Sequence, residues 1–108
     1  MPTETPTQSS WSAVDTYLSS IVLPEDPSLD EAVRASERAG LPPIQVSPLL
    51  GKLLHLLALT RGARSILEIG TLGGYSTIWM AKALRPGGRI ITLEIDPKHA
   101  EVAKKNLA

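Results

Sequence analysis

The sequence predicts an α/β fold based on a doubly wound parallel sheet, with this chain containing the N-terminal helices and the first βαβ unit. Residues 65–69 and 90–96 are two apolar runs of the length and composition expected for buried strands. A helical pattern over residues 75–84 lies between them, and a glycine-rich turn separates the first strand from this helix. A strand–helix–strand unit of this length gives parallel strands whose two faces are covered by helices.

Four further helices are predicted from their start signals. Hydrophobic spacing predicts a first helix that Ser10 caps and that ends near Val22, before the break at 24–27. A capping box then predicts a second helix that ends before Gly40. The start signals of the last three of these helices are Ser28 with Glu31, Ser47 with Pro48, and Asp96 with Pro97.

The third helix is apolar nearly all round, because seven leucines lie between residues 49 and 59. Such a helix is expected to be buried on more than one side, by the sheet and by a partner subunit. His55 lies in this helix, and we expect a backbone group or a water as its partner rather than a catalytic role. His99 follows the proline that starts the last helix and is expected to face solvent.

Length and composition restrict the classes of protein to consider. The chain has 108 residues, a net charge of zero and no cysteine. This length allows one domain at most, and we expect a disordered tail at 1–10 followed by a domain portion at 11–108. The balanced charge gives no indication of nucleic-acid or membrane binding, and the tail lacks the basic and apolar runs of a signal peptide. A cytoplasmic location is therefore expected.

The glycine-rich turn carries the main functional signal. Glu68 comes directly before Gly70, Gly73 and Gly74, and no lysine or arginine lies between Ser65 and Trp79. Glycines in such a turn let a ligand approach the backbone, and the following helix offers free N–H groups. Dinucleotide enzymes bind a pyrophosphate there with the spacing G-x-G-x-x-G, but a carboxylate at Glu68 would repel that group.

A second carboxylate defines the ligand further. Glu94 lies 26 residues after Glu68, near the end of the second strand, where an acidic side chain accepts hydrogen bonds from both ribose hydroxyls. A ribose combined with an amino-acid zwitterion indicates S-adenosylmethionine. A dinucleotide site and a purely structural turn remain alternatives at this point.

The runs LEIGTLGGYSTIWMAKAL and PGGRIITLEIDPKHAEVAKKNL, with the upstream segment GLPPIQVSPLLGKLL, resemble one enzyme family. They are similar to class I S-adenosylmethionine-dependent O-methyltransferases of the catechol and caffeoyl-CoA type, which have a Rossmann-like fold. The resemblance covers residues 17–108. It implies methyl transfer to a hydroxyl of a small, aromatic acceptor, with the family commonly dimeric.

The resemblance also implies roles for individual residues. Val46 would contact the methionine part of the cofactor through its backbone, Ser76 would bind the methionine carboxylate, and Glu94 would hold the ribose diol. Glu68, Gly70 and Thr71 would line the cofactor, with Tyr75 packed beside the pocket.

The same resemblance implies parts that match nothing in this sequence. In the family, five more strands carry the adenine pocket, the ligands of a divalent metal (Mg²⁺) and the residues that orient the acceptor. We therefore assign no catalytic residue and no metal ligand, and we expect no methyl transfer by the 108-residue chain alone. Two hypotheses follow: the N-terminal, cofactor-binding part of an O-methyltransferase, or a non-catalytic module that keeps the half-site for adenosyl-ligand binding or assembly.

Overall fold

The computed structural model describes residues 5–108, which form five helices and a two-stranded parallel sheet. In chain order the elements are α1 (Gln8–Val22), α2 (Pro27–Arg38), α3 (Pro48–Arg61), β1 (Ser65–Ile69), α4 (Tyr75–Ala81), β2 (Arg89–Leu93) and α5 (Pro97–Leu107). β1 and β2 pair in parallel register from Ser65 opposite Arg89 to Ile69 opposite Leu93. The predicted βαβ unit is confirmed.

The first two helices begin earlier than predicted. The N-cap of α1 is Thr7, whose hydroxyl accepts a bond from the Ser10 backbone N–H at 3.2 Å, so α1 includes residues 8–10 of the expected tail. Residues 1–4 of that tail lie outside the described residues. The capping box at Ser28 is wrong, because Asp26 caps α2 and Pro27 is its first residue. Ser47 and Asp96 are the N-caps of α3 and α5, as predicted.

Two elements, α4 and β2, are shorter than predicted. α4 stops at Ala81 instead of residue 84, because the backbone continues in tighter turns in which Ala83 and Leu84 donate to carbonyls three residues earlier. β2 covers residues 89–93 instead of 90–96, because β1 offers only five residues for pairing.

Asp26 joins the start of α2 to the end of α4. Its carboxylate accepts bonds from the Ser28 hydroxyl at 2.6 Å and the Ser28 N–H at 3.0 Å, and lies 2.9 Å from Lys82 Nζ. The Ser28 hydroxyl first, and then Lys82, lower the pKa of Asp26 from 3.8 to about 2. This carboxylate therefore favours the folded state whenever it is ionised.

Replacing Asp26 with alanine is expected to lower the free energy of unfolding by about 1–2 kcal/mol at neutral pH, mostly through loss of the helix cap. Because the folded-state pKa is below the unfolded-state value, this stabilisation is present above about pH 4 and is lost as the pH falls toward about 2. Urea unfolding across this pH range measures the effect. Glu25→Ala, a neighbouring exposed carboxylate, is the control; an equal loss in both variants would contradict the assignment.

The helices α3 and α4 make a close contact around Trp79. Gly51 of α3 is buried against the indole ring, and His55 Nδ1 lies 2.9 Å from the Trp79 carbonyl oxygen. This confirms that His55 has a backbone partner. α3 packs against α4 and α1, but most of its leucines are about half exposed within residues 5–108, so the expected burial by a partner subunit stays a prediction.

The sheet is covered on one face only. Glu68 and Thr92 point toward α4, whereas Leu67 and Ile69 on the opposite face are 64% and 81% exposed. The expectation that helices cover both faces is therefore wrong for residues 5–108. The physical reason is that α4, the helix that packs on β2, lies on the Glu68 side.

A small core forms where α2 meets α4. The buried residues of this cluster are Leu29, Ala32, Tyr75, Ile78 and Trp79, and Val46 packs against them from the segment before α3. The cluster fixes Tyr75, the first residue of α4, and thereby the end of the glycine turn. Within residues 5–108, no helix combines the length and the apolar character that a membrane span requires.

Candidate functional site

The glycine turn connects β1 to α4 through three residues with positive φ. Gly70 and Gly74 have φ of 91° and 89°, and Leu72 adopts 53°, a left-handed conformation that is uncommon for a residue with a side chain. A Cβ added to Gly70 would meet no atom within 4 Å, so the backbone at this position borders open space. The turn therefore exposes backbone to an approaching ligand.

A pocket of about 180 Å³ lies between this turn and the segment before α3. Its lining residues are Ile44, Gln45, Val46, Gly70, Thr71, Leu72, Tyr75 and Ser76. The structure thus brings together five of the seven residues predicted to bind a cofactor, although Val46 and Ser76 are 30 positions apart in the sequence. Glu68 and Glu94 do not line the pocket themselves and instead contact residues that do.

Three of the lining residues were missed by the sequence analysis. Ile44 and Gln45 directly precede Val46 in the segment that carries the family resemblance, and this proximity was a usable signal. Leu72 lies directly after Thr71 in the glycine turn and gave the same signal, although its residue type does not indicate a left-handed conformation.

Glu68 lies behind the pocket, bound by three hydroxyl groups. Its Oε2 accepts from Ser76 at 2.6 Å, and its Oε1 accepts from Thr77 at 2.5 Å and from Thr92 at 2.8 Å. Thr77 is 1% exposed, so part of this arrangement is fully removed from solvent. The carboxylate is therefore oriented, with Oε2 on the side of the pocket-lining Ser76.

Glu94 holds the other side of the glycine turn. Its Oε1 accepts from the backbone N–H groups of Thr71 at 3.1 Å and Leu72 at 2.7 Å, and its Oε2 accepts from the Asp96 N–H at 3.1 Å. These backbone donors, that of Asp96 first, lower the pKa of Glu94. The residue predicted to hold a ribose therefore also fixes the turn that forms the pocket.

Tyr75 lines the pocket at the start of α4. It is 7% exposed and packs within the α2–α4 core, and burial raises the pKa of its phenol. The phenol is therefore neutral near pH 7, and its ring gives the pocket a rigid apolar wall.

Two α5 residues approach the site. Asn106 Nδ2 donates to the Gly73 carbonyl oxygen at 2.8 Å, which ties the C-terminal end of the turn to α5. The prediction that His99 faces solvent is wrong: its side chain is 19% exposed, with Nδ1 3.7 Å from Glu94 Oε2 and Nε2 3.5 Å from Asp96 Oδ2. The imidazole therefore lies between two carboxylates at the end of β2.

The charges around the pocket favour a cationic ligand group over a pyrophosphate. No lining residue carries a charge, and two carboxylates, Glu68 and Glu94, lie immediately behind the lining. A pyrophosphate would meet negative charge without a compensating lysine or arginine. An ammonium or sulfonium group would instead be attracted by the negative charge of these two carboxylates.

The chain is similar to proteins of one known family. A family model described as O-methyltransferase matches residues 18–108. A catechol O-methyltransferase from Niastella koreensis is 56% identical over 88% of this chain and 43% of its own length.

Solved structures give the same result. An O-methyltransferase from Bacillus cereus, solved in complex with SAH, has a TM-score of 0.88 and 52% identity over 92% of this chain and 45% of its own. An O-methyltransferase from Streptomyces achromogenes involved in tomaymycin synthesis, solved with SAM, has a TM-score of 0.86 and 50% identity over 95% of this chain and 46% of its own. The chain thus spans less than half the length of each of these three proteins.

The Rossmann-like fold predicted from the sequence is confirmed by these structural matches. The family match covers both strands, the glycine turn and the two carboxylates that the sequence analysis singled out. The chain belongs to the O-methyltransferase family.

Proposed function

We propose that this chain supplies the S-adenosylmethionine-binding part of an O-methyltransferase that transfers a methyl group to a hydroxyl of a small, aromatic acceptor. The observation that carries the proposal is the pocket at the glycine turn, with Glu68 on one side and Glu94 on the other. The SAH and SAM complexes of the Bacillus and Streptomyces relatives support it.

In this proposal different residues bind different parts of the cofactor. The backbone N–H of Ser76, whose hydroxyl donates to Glu68, and the backbone of Val46 bind the methionine end. Glu68 attracts the ammonium group, and Glu94 accepts the ribose hydroxyls. Gly70 and Thr71 let the ligand lie against the backbone, while Tyr75 forms the wall. When bound, S-adenosylmethionine supplies a methyl group on a sulfonium, and the protein accelerates its transfer mainly by holding the reactants in line.

The described residues do not fit a metal site. Within residues 5–108, no group of three or more His, Cys, Asp or Glu side chains could hold a metal ion. A Mg²⁺ ion in the whole enzyme, as the resemblance implies, would take its ligands from other residues.

We also propose that the protein acts as a cytoplasmic homodimer. The support for a dimer is apolar surface on α1 and α3, where Trp11, Ile21 and Leu57 are each more than half exposed. A second copy of the chain that packed on these helices would remove this surface from water.

Calorimetric titration tests cofactor binding. We expect saturable binding of S-adenosylhomocysteine by the purified chain and no binding of NAD, because NAD would place its pyrophosphate beside Glu68. Binding of NAD alone would support the dinucleotide alternative. Absence of binding by either ligand would contradict the proposal that this chain forms a working half-site.

A further inference from the structure

A chain of hydroxyl groups connects the two carboxylates of the site beneath the pocket. Thr92 lies directly opposite Glu68 in the parallel register of β1 and β2, and its hydroxyl donates to Glu68 Oε1 at 2.8 Å. Thr92 Oγ1 is also 2.5 Å from Thr71 Oγ1, and the Thr71 N–H donates to Glu94 Oε1. One short path therefore leads from Glu68 through Thr92 and Thr71 to Glu94.

The direction of each bond follows from the number of hydrogens. A hydroxyl has one hydrogen, and that of Thr92 is donated to Glu68, so Thr71 must donate its own hydroxyl hydrogen to Thr92. Thr71 thus donates its O–H to Thr92, on the Glu68 side, and its N–H to Glu94. A side chain without a hydroxyl at position 92 would break the path and would leave the Thr71 O–H, in a residue 4% exposed, without this acceptor.

The donors also determine which part of Glu68 remains for a ligand. A carboxylate offers about four acceptor positions. Oε1 uses its two for Thr77 and Thr92, whereas Oε2 uses one, for the pocket-lining Ser76, and keeps one among the bonds of the described residues. Thr92 and Thr77 therefore turn Glu68 so that the oxygen with a free acceptor position is the one bonded to Ser76.

We propose that Thr92 is a positioning residue for the cofactor: its hydroxyl fixes Glu68 relative to Glu94, so that the two carboxylates match the ammonium and ribose groups of one adenosyl amino acid. This inference rests on the proposed function. It assigns to the strand β2, outside the pocket lining, a part in recognising the amino-acid end of the ligand.

The test uses two variants and two ligands. Thr92→Val keeps the branched shape and removes the hydroxyl, whereas Thr92→Ser keeps the hydroxyl and removes the methyl group. The ligands are S-adenosylhomocysteine and 5′-methylthioadenosine, which has the adenosine and the thioether but lacks the ammonium and carboxylate groups. Dissociation constants are measured by calorimetry, and thermal unfolding of each variant reports its stability.

We expect Thr92→Val to weaken S-adenosylhomocysteine binding by about tenfold and methylthioadenosine binding by less than about twofold, because only the first ligand uses Glu68. Thr92→Ser should restore S-adenosylhomocysteine affinity to near the wild-type value. If Thr92 had a purely structural role, Thr92→Val would weaken the binding of both ligands together, or Thr92→Ser would weaken binding as much as Thr92→Val.

Failure of the inference and failure of the proposed function are distinguishable. Wild-type binding of S-adenosylhomocysteine with no selective loss in Thr92→Val overturns the inference alone. Absence of binding by the wild type overturns the proposed function and the inference with it.

Discussion

Replacing Glu94 with glutamine is expected to weaken S-adenosylhomocysteine binding by about a hundredfold. The carboxylate accepts three backbone N–H groups, two of them from the glycine turn, and is proposed to accept the ribose hydroxyls. An amide of the same size has one acceptor oxygen and presents an NH₂ group where the other oxygen was. The substitution therefore removes ligand bonds and loosens the turn that forms the pocket.

Calorimetry with S-adenosylhomocysteine and methylthioadenosine measures this effect, and both ligands should lose affinity because both contain the ribose. This outcome differs from that expected for Thr92→Val, in which only the first ligand is affected. Glu101→Gln is the matched control, because Glu101 lies on the exposed side of α5 with only a surface ion pair to Lys104. Affinities within about threefold of the wild type in Glu94→Gln would contradict the ribose assignment.

Replacing Gly51 with alanine is expected to destabilise the protein, although alanine is the better helix former by about 1 kcal/mol. A Cβ at this position would lie 2.3 Å from Cδ1 and 2.4 Å from Nε1 of Trp79, closer than atoms can approach. Trp79 is 4% exposed and belongs to the α2–α4 core, so its ring cannot move without disturbing that core. Overpacking of this kind costs about 1–3 kcal/mol or more and outweighs the gain in helix propensity.

Thermal unfolding should show a fall in Tm of roughly 10 °C or more for Gly51→Ala. Cofactor affinity should fall as well, because α4 begins at Tyr75 in the pocket wall and moves with Trp79. Thr60→Ala, at an exposed position of the same helix, is the control and should change Tm little. A rise in Tm for Gly51→Ala would show that the gain in helix propensity exceeds the cost of overpacking. The contact between α3 and α4 would then be looser than described.

Local signals in the sequence predicted the elements well where the interaction spans a few residues. Ser47 and Asp96 cap the helices that follow them, since a capping side chain bonds to N–H groups two or three residues away. The prediction that Ser28 caps α2 was wrong: Asp26 accepts from the N–H groups of Ser28 and Leu29 and is also paired with Lys82, 56 residues further along the chain. No local pattern contains that contact.

The same difference between local signals and long-range contacts applies to the candidate site. The order of strand, glycine turn and helix predicted a ligand at the turn. The resemblance named Val46, Gly70, Thr71 and Ser76, and the structure brings these four residues to one pocket. Both carboxylates were found because their residue type and position at the ends of strands are visible in the sequence. Their actual partners, a set of hydroxyls for Glu68 and backbone N–H groups for Glu94, were not predicted.

The sequence by itself determined the parallel βαβ unit and the glycine turn, and it supplied the argument for the proposed charge of the ligand, because these depend on residues that are neighbours along the chain. Only the tertiary structure decided that Gly51 must lack a side chain, that His99 turns toward carboxylates and that Thr92 connects Glu68 to Thr71. The contacts of Gly51 and Thr92 depend on distances of a few ångströms between residues more than twenty positions apart. The position of His99 depends on the turn that leads from β2 into α5. Such distances are fixed by packing and hydrogen bonding in the folded chain.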